Sequence, residues 1–201
     1  MSDHPKPGVV CMASGEGGQG VPAPDSGARF SDDRLYRYAL WRELPTHQVP
    51  LFGEGKGQSR GTCLFIMLNP STAGIRENDP TVSRCIQFAQ AWGYGRLVVC
   101  NLFAFRTTYP SALHSRHRNG LPVIGPSNDQ IIRRAIDAAD LVVCAWGRCD
   151  QSWRRERARD VRAMIPRPYV LGLTDGGDPR HPLYVRKHVE PQPWGHKEGE
   201  P

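Results

Sequence analysis

Three short polar motifs, each in or directly after an apolar segment, contain the residue types that can do chemistry. The first, Asn69-Pro70-Ser71-Thr72, ends an apolar run, because a proline lacks the N–H that a strand needs. The second is Asn101, an amide inside an apolar segment, and the third is His181, in a proline-flanked loop. A carboxamide presents a donor and an acceptor side by side, which suits a planar edge such as that of a nucleobase.

Each of these motifs also has a purely structural explanation. Asn-Pro often initiates a turn, so Asn69 can be a turn residue and nothing more. A buried Asn101 amide can serve a hydrogen bond to a neighbouring loop. A lone loop histidine such as His181 is more often solvated than catalytic. For each motif, the structural explanation and the chemical one both stay open on the sequence alone.

Three further residues are assigned to substrate binding because they adjoin the polar motifs. Arg106 follows the second motif closely and can hold a phosphate or a carboxylate, with a surface ion pair as the alternative. Phe103 lies between Asn101 and Arg106, and Arg180 directly precedes His181.

The charge balance favours a polyanionic partner. The 201 residues carry a formal net charge of +6, with a pI near 9.2. We therefore expect DNA or a nucleotide as the partner. Basic residues concentrate in segment 148–167, which is either a solvated helix face or a phosphate-contacting surface. No secretory signal and no membrane-length apolar stretch is present, so no membrane partner is expected.

The cysteines indicate a reducing compartment and no metal site. None of the six forms a C-x-x-C pair, and Cys63, Cys100 and Cys144 lie in or beside apolar segments, as small core residues do. We therefore expect a cytoplasmic protein with no metal and no cofactor. The glycine-rich segment 14–20 lacks the G-K-[ST] of a phosphate-binding loop, and no G-x-S-x-G nucleophile motif occurs.

Strand-like and helix-like segments alternate along most of the chain. Segment 29–44 alternates partly and contains a turn at 31–33, which predicts a β-hairpin, with a short helix after Asp33 as the alternative. Asp79 and Pro80 predict a helix start, and Ser127-Asn128 predicts another. Predicted strands cover 62–68, 96–105, 140–146 and 169–173, a basic helix covers 152–165, and loop 107–125 contains a possible short helix at 111–114.

This alternation predicts an α/β fold with three layers, α/β/α. Its central sheet should be mostly parallel, with about four strands, plus the N-terminal β-hairpin. Residues 29–194 are predicted to form a single domain. Residues 1–28 and 195–201 have no apolar periodicity and are predicted to be disordered tails.

The motifs resemble a bacterial and phage family known as domain of unknown function 1643. The resemblance runs from about residue 29 to residue 194. It is carried by LNPSTA at 68–73, DPTVSRC at 79–85, WGYG at 92–95, NLFAFR at 101–106, GPSND at 125–129, AWG at 145–147 and GLT-x(5)-RHPLY at 172–184.

The order of the three polar motifs is also distantly similar to that of the uracil-DNA glycosylase superfamily. That resemblance implies a uracil-DNA-glycosylase-like fold and hydrolysis of an N-glycosidic bond in DNA or a nucleotide. Asn69 would orient the attacking water, Asn101 would read a uracil-like or modified base, and His181 would stabilise the leaving base. Pro70, Ser71 and Thr72 would line the substrate site.

The sequence departs from that superfamily in three ways. Ser71 replaces the glycine after N-P, no serine follows H-P, and no acidic residue adjoins Asn69. The alternative function is therefore a non-catalytic nucleotide or nucleic-acid binding module of the same fold. A protein-interaction domain is the third candidate.

Overall fold

The chain folds around a sheet whose strands largely match the predicted apolar segments. The computed structural model describes residues 26–45, 60–71, 73–75 and 77–195. Within them the strands are β1 (Gly27–Phe30), β2 (Arg37–Glu43), β3 (Thr62–Met67), β4 (Arg96–Asn101), β5 (Leu141–Cys144), β6 (Pro168–Val170) and β7 (Gln192–Pro193). The helices are α1 (Pro80–Ala91), α2 (Pro110–Arg118), α3 (Asn128–Asp137) and α4 (Ser152–Ala163), with a 3-10 turn at Pro182–Tyr184. The remainder of the predicted tails and most of the connection 46–60 lie outside the described residues.

The sheet is mixed and has seven strands, in the order β1-β2-β4-β3-β5-β6-β7. The four predicted strands β3, β4, β5 and β6 are parallel and form its centre. The predicted hairpin is confirmed, but its second strand pairs antiparallel with β4, and β7 adds an antiparallel strand at the other edge. The prediction of a mostly parallel sheet of about four strands is corrected accordingly, because the hairpin extends the sheet instead of standing beside it.

Helices cover both faces of the sheet, which is the predicted three-layer arrangement. Alternate side chains of β3 point to opposite faces, as the pleat requires. Cys63, Phe65 and Met67 pack with α1, whereas Leu64 and Ile66 pack in a core with side chains of α2, α3 and α4. Cys63, Cys100 and Cys144 are fully buried, so their prediction as core residues is confirmed.

The strand order changes direction at β3, and this reversal locates the crevice. From β3 the chain passes through α1 to β4 on one side, and then through α3 to β5 on the other side. The helices that follow β3 and β4 therefore lie on opposite faces. Open α/β sheets bind ligands at such a switch point, beyond the carboxyl ends of the strands.

The two predicted helix starts differ in how they are capped. The Asp79 side chain accepts a hydrogen bond from Val82 N at 2.8 Å and caps α1, as predicted. Ser127 makes no side-chain cap hydrogen bond for α3, and the neighbouring Asn128 is buried with its amide directed at β4. Helix α2 is longer than the short helix predicted at 111–114, and it begins at Pro110, a residue favourable at the first helical position.

Arg42 joins β2 to the loop that leads into α1. Its side chain is almost fully buried and donates hydrogen bonds to Asn78 Oδ1 and to the carbonyls of Gly27, Trp41, Gly74 and Glu77. Burial lowers the pKa of Arg42, so the buried charge depends on these acceptors. The loop that ends at Asp79 is thereby tied to the sheet.

We expect Arg42→Met to destabilise the chain by about 3 kcal/mol, because it leaves several buried carbonyls without a donor. Urea denaturation followed by circular dichroism measures the free energy of unfolding. Arg133→Met, on the exposed surface of α3, removes the same charge and should change that free energy by less than about 0.5 kcal/mol. Equal effects of the two substitutions would contradict a structural role for Arg42.

Candidate functional site

A cavity of about 290 Å³ opens at the carboxyl ends of the parallel strands, on the face covered by α1. We call it the central cavity. Its apolar wall includes Met67, Val82 and Val99. Its polar lining includes Arg37, Asn69, Ser71, Asp79, Asn101 and His181. The volume lies just below the usual range for ligand pockets, about 300–1,000 Å³.

The structure brings the three polar motifs of the sequence together in this cavity. Asn69 follows β3, Asn101 ends β4, and His181 lies in the loop after β6. Parallel strands end at one edge of the sheet, so residues far apart in sequence meet there. Ser71 lines the same cavity, Pro70 is buried beside it, and Thr72 lies outside the described residues.

The Asn69 side chain has a fixed orientation. Its Nδ2 donates to Thr107 O at 2.8 Å and to Pro70 O at 3.2 Å. Both donor positions of the amide are thereby used within the protein. Its Oδ1 is the atom that can accept a hydrogen bond from a bound water or ligand.

Asn101 is almost fully buried, with 1 % of its surface exposed, and its Nδ2 has no hydrogen-bond partner among the described residues. Its backbone is held from the opposite face of the sheet. Asn128 Nδ2 donates to Asn101 O at 3.0 Å and to Leu102 O at 3.1 Å, and Arg157 Nε donates to Leu102 O at 2.9 Å. A buried unsatisfied donor is costly, so the open amide of Asn101 calls for an acceptor from a ligand.

His181 is held as a neutral donor. Its Nδ1 accepts a hydrogen bond from Leu183 N at 3.3 Å, so the proton of the neutral ring resides on Nε2. Burial lowers the pKa of His181 below its usual value, and the charge of Asp79 opposes part of this effect. The ring therefore stays neutral at pH 7 and offers the Nε2–H group as a donor.

Two charged residues of the cavity were not assigned to it from the sequence. Asp79, predicted only as a helix cap, lines the cavity together with Asn69. Arg37 also lines it, is 2 % exposed, donates to Ala73 O, and has an Nε without a partner in the described part of the chain. Burial lowers the pKa of Arg37 to about 10, while the charge of Asp79 acts in the opposite direction. Because β2 runs antiparallel to β4, its first residue lies at the edge where β4 ends.

Two further depressions adjoin the central cavity, of about 290 Å³ at Arg106 and about 370 Å³ at Arg180. The Arg106 notch, lined by Arg34, Leu35, Ser71, Phe105, Arg106, Thr107 and Thr108, shares Ser71 with the cavity. The Arg180 notch shares four residues with the central cavity: Gly147, Arg148, His181 and Tyr184. Its other lining residues are Thr174, Asp175 and Arg180. The predicted residues Arg106 and Arg180 thus lie beside the cavity, not in it.

Phe103 and part of the basic helix serve the fold instead. Phe103 is buried in the core on the α3 and α4 face, where its ring centroid lies 4.9 Å from that of Trp153. Arg157 of the basic helix is also buried, paired with Asp129 and bonded to Leu102 O. The structure therefore does not place Phe103 with the other predicted site residues.

The described residues contain no group of three or more His, Cys, Asp or Glu side chains arranged to hold a metal ion. No helix in the described ranges is long and apolar enough to cross a membrane. Burial raises the pKa of the Cys100 thiol to about 12 and raises that of Cys85 as well, so neither thiol is a ready nucleophile.

A family model described as a protein of unknown function (DUF1643) matches residues 37–183. The chain belongs to the DUF1643 family. The match spans both Arg37 and the loop of His181, so it includes every residue lining the central cavity except Tyr184. No curated protein and no solved structure matches the chain. The similarity to the uracil-DNA glycosylase superfamily is therefore not confirmed and stays a prediction.

Replacing Asp79 should change the titration of His181 in the DUF1643 chain. Asp79→Asn keeps a residue that caps helices as well as aspartate does, but it removes the negative charge that favours the imidazolium. We therefore expect the pKa of His181 to fall further below 6.5 in Asp79→Asn.

Imidazole resonances from nitrogen-15 NMR across pH 4–8 measure both the pKa and the tautomer. Glu156→Gln, an exposed substitution on α4 outside the central cavity, is the matched control and should leave the pKa unchanged. An unchanged pKa in Asp79→Asn would show that the carboxylate does not act on His181.

Proposed function

We propose that this DUF1643 chain binds a uracil-like or modified nucleobase in the central cavity and hydrolyses its N-glycosidic bond. The observation that carries the proposal is the meeting of Asn69, Asn101 and His181 in one small cavity. The order of these residues along the chain is the order that the uracil-DNA glycosylase superfamily uses. A cavity of about 290 Å³ suits a base rather than a large ligand. DNA or a free nucleotide would supply that base.

Asn101 is the proposed reader of the base edge. Its buried Nδ2 lacks a partner among the described residues, and a ring carbonyl of the base would satisfy it. Its Oδ1 would accept from a ring N–H next to that carbonyl. The bonds from Asn128 and Arg157 fix the backbone there, so the amide is oriented before the ligand arrives.

His181 is the proposed donor to the leaving base. Cleavage of the glycosidic bond leaves the bonding electron pair on the base, and negative charge develops on its ring oxygen. The Nε2–H of a neutral His181 can donate to that oxygen. A donor positioned in this way typically contributes about 3–4 kcal/mol of transition-state stabilisation.

Asp79 and Asn69 would handle the water. Asn69 Oδ1 accepts a hydrogen bond from the water, whose oxygen attacks the sugar carbon as the bond to the base breaks. The proton released by the water passes to the Asp79 carboxylate. The sequence shows no acidic residue beside Asn69; the proposal uses Asp79, which caps α1 and lines the same cavity as Asn69.

The alternative function is binding without cleavage, and one observation favours it. Asp79 Oδ1 already accepts from Val82 N, and the Asn69 amide already donates to two carbonyls. Asp79 and Asn69 therefore both make hydrogen bonds that stabilise the fold. Recovery of the intact ligand after tight binding would favour this alternative.

We expect Asn101→Ala and His181→Ala each to lower the rate of base release by about 100-fold to 1,000-fold, because each removes a group that stabilises the bound or leaving base. Mass spectrometry of bases released from a panel of bacterial and phage DNAs measures the rate. His188→Ala, an exposed histidine outside the central cavity, is the control and should behave as the unmodified chain. Absence of any released base from single-stranded or double-stranded DNA, modified or not, would refute hydrolysis.

Asp79→Asn separates the two functions. If Asp79 accepts the proton of the water, we expect base release to slow by about 100-fold or more while ligand binding is retained. Thermal unfolding should be nearly unchanged, because asparagine preserves the cap of α1. An unchanged rate of base release would remove Asp79 from the mechanism.

A further inference from the structure

The Arg106 notch contains two arginines stacked on one aromatic ring. The guanidinium carbons of Arg34 and Arg106 lie 5.1 and 4.8 Å from the ring centroid of Phe30. Arg106 Nη1 also donates to Arg34 O at 3.1 Å. The shared ring thus lies beside both guanidinium groups, the hydrogen bond ties the Arg106 side chain to the main chain of Arg34, and both residues line the same depression.

No anionic side chain among the described residues neutralises this pair. Neither Arg34 nor Arg106 forms an ion pair there, and the buried Nε of Arg106 has no hydrogen-bond partner. The positive charge of Arg106 acts on Arg37 as well, lowering its pKa further after the larger effect of burial. Asp79 offsets this charge at Arg37, so the cations without a paired carboxylate among the described residues are Arg34 and Arg106. Two neighbouring guanidinium groups repel each other, and a bound anion would relieve that repulsion.

Ser71 connects this cationic notch to the central cavity, because it lines both. A molecule whose base occupies the cavity would pass over Ser71 to reach the two arginines. In a nucleotide the sugar separates the base from the phosphate, so the cavity, Ser71 and the notch follow the same order as base, sugar and phosphate. The planar fork of an arginine matches phosphate oxygens in geometry and in charge.

We infer that the Arg106 notch binds the phosphate of the nucleotide whose base enters the central cavity. This inference rests on the proposed function for the base, and it narrows the substrate class to phosphate-bearing nucleotides rather than free bases or nucleosides. The phosphate is either the monoester of a free nucleotide or the diester of a strand. Arg34 and Arg106 donate to its oxygens, and Ser71 lies under the sugar.

Isothermal titration calorimetry of the full chain tests this with uridine, the 3′- and 5′-monophosphates of uridine, inorganic phosphate, and a trinucleotide with a central deoxyuridine. We expect one of the two monophosphates or the trinucleotide to bind at least tenfold more tightly than uridine. Arg106→Met should remove that advantage while leaving the affinity for uridine unchanged. It should also reduce the slope of log affinity against log salt by about 1.

Arg133→Met is the matched control, because it removes the same charge from an exposed position outside the three depressions. Should Arg106→Met fail to fold by circular dichroism, Arg34→Met takes its place, since Arg34 is exposed and its side chain makes no hydrogen bond among the described residues. The inference is overturned if neither a monophosphate nor the trinucleotide binds more tightly than uridine. It is also overturned if the substitution in the notch has no more effect than Arg133→Met.

The inorganic phosphate arm separates failure of this inference from failure of the base proposal. If phosphate binds, Arg106→Met abolishes that binding, and uridine does not bind, then the notch is a phosphate site and the proposal that the central cavity binds a base is rejected. If uridine binds and a phosphate group adds no affinity, then base binding is supported and the phosphate site at the Arg106 notch is rejected. Tighter binding of the trinucleotide than of either monophosphate assigns the phosphate to a strand, and the reverse order assigns it to a free nucleotide.

Discussion

The anchored end of β4 is the constraint on which the candidate site depends. Asn128 from α3 and Arg157 from α4 donate three hydrogen bonds to the carbonyls of Asn101 and Leu102. All the donors are buried, so a bond lost there would leave an unsatisfied polar group. Helices on one face of the sheet therefore fix a side chain that serves a cavity on the other face.

Among the described residues that line it, the central cavity combines several donors and cations with one carboxylate. Arg37, Asn101 and the Nε2–H of His181 offer hydrogen to a ligand, and Asp79 is the acid among the lining residues. A ligand rich in carbonyl oxygens fits this arrangement, because each buried donor needs an acceptor. The same donors would stabilise a base that becomes anionic as it leaves, which links binding to the proposed cleavage.

The sequence predicted the central strands and the polar motifs, but it did not predict that Arg37 and Asp79 line the central cavity. Apolar runs and their order are local properties, so β3, β4, β5 and β6 could be read directly. The pairing of β2 with β4 is non-local, and it alone brings Arg37 to the cavity. Asp79 was recognised as a helix cap, but a cap motif does not show what the start of the helix faces. Phe103 lies in an apolar segment whose two faces cannot be distinguished without the partner helices.

Ser71, which replaces a glycine of the resembled motif, is explained by how its turn is held. Asn69 Nδ2 donates to Thr107 O, and Thr107 N donates to Pro70 O at 2.9 Å, so the chain after β4 fixes the turn. A turn held by cross-strand hydrogen bonds does not need the conformational freedom of glycine. Ser71 lines both the central cavity and the Arg106 notch, so its side chain borders the passage from one depression to the other. A ligand that spans both depressions passes Ser71, and a serine there favours a polar sugar over an apolar linker.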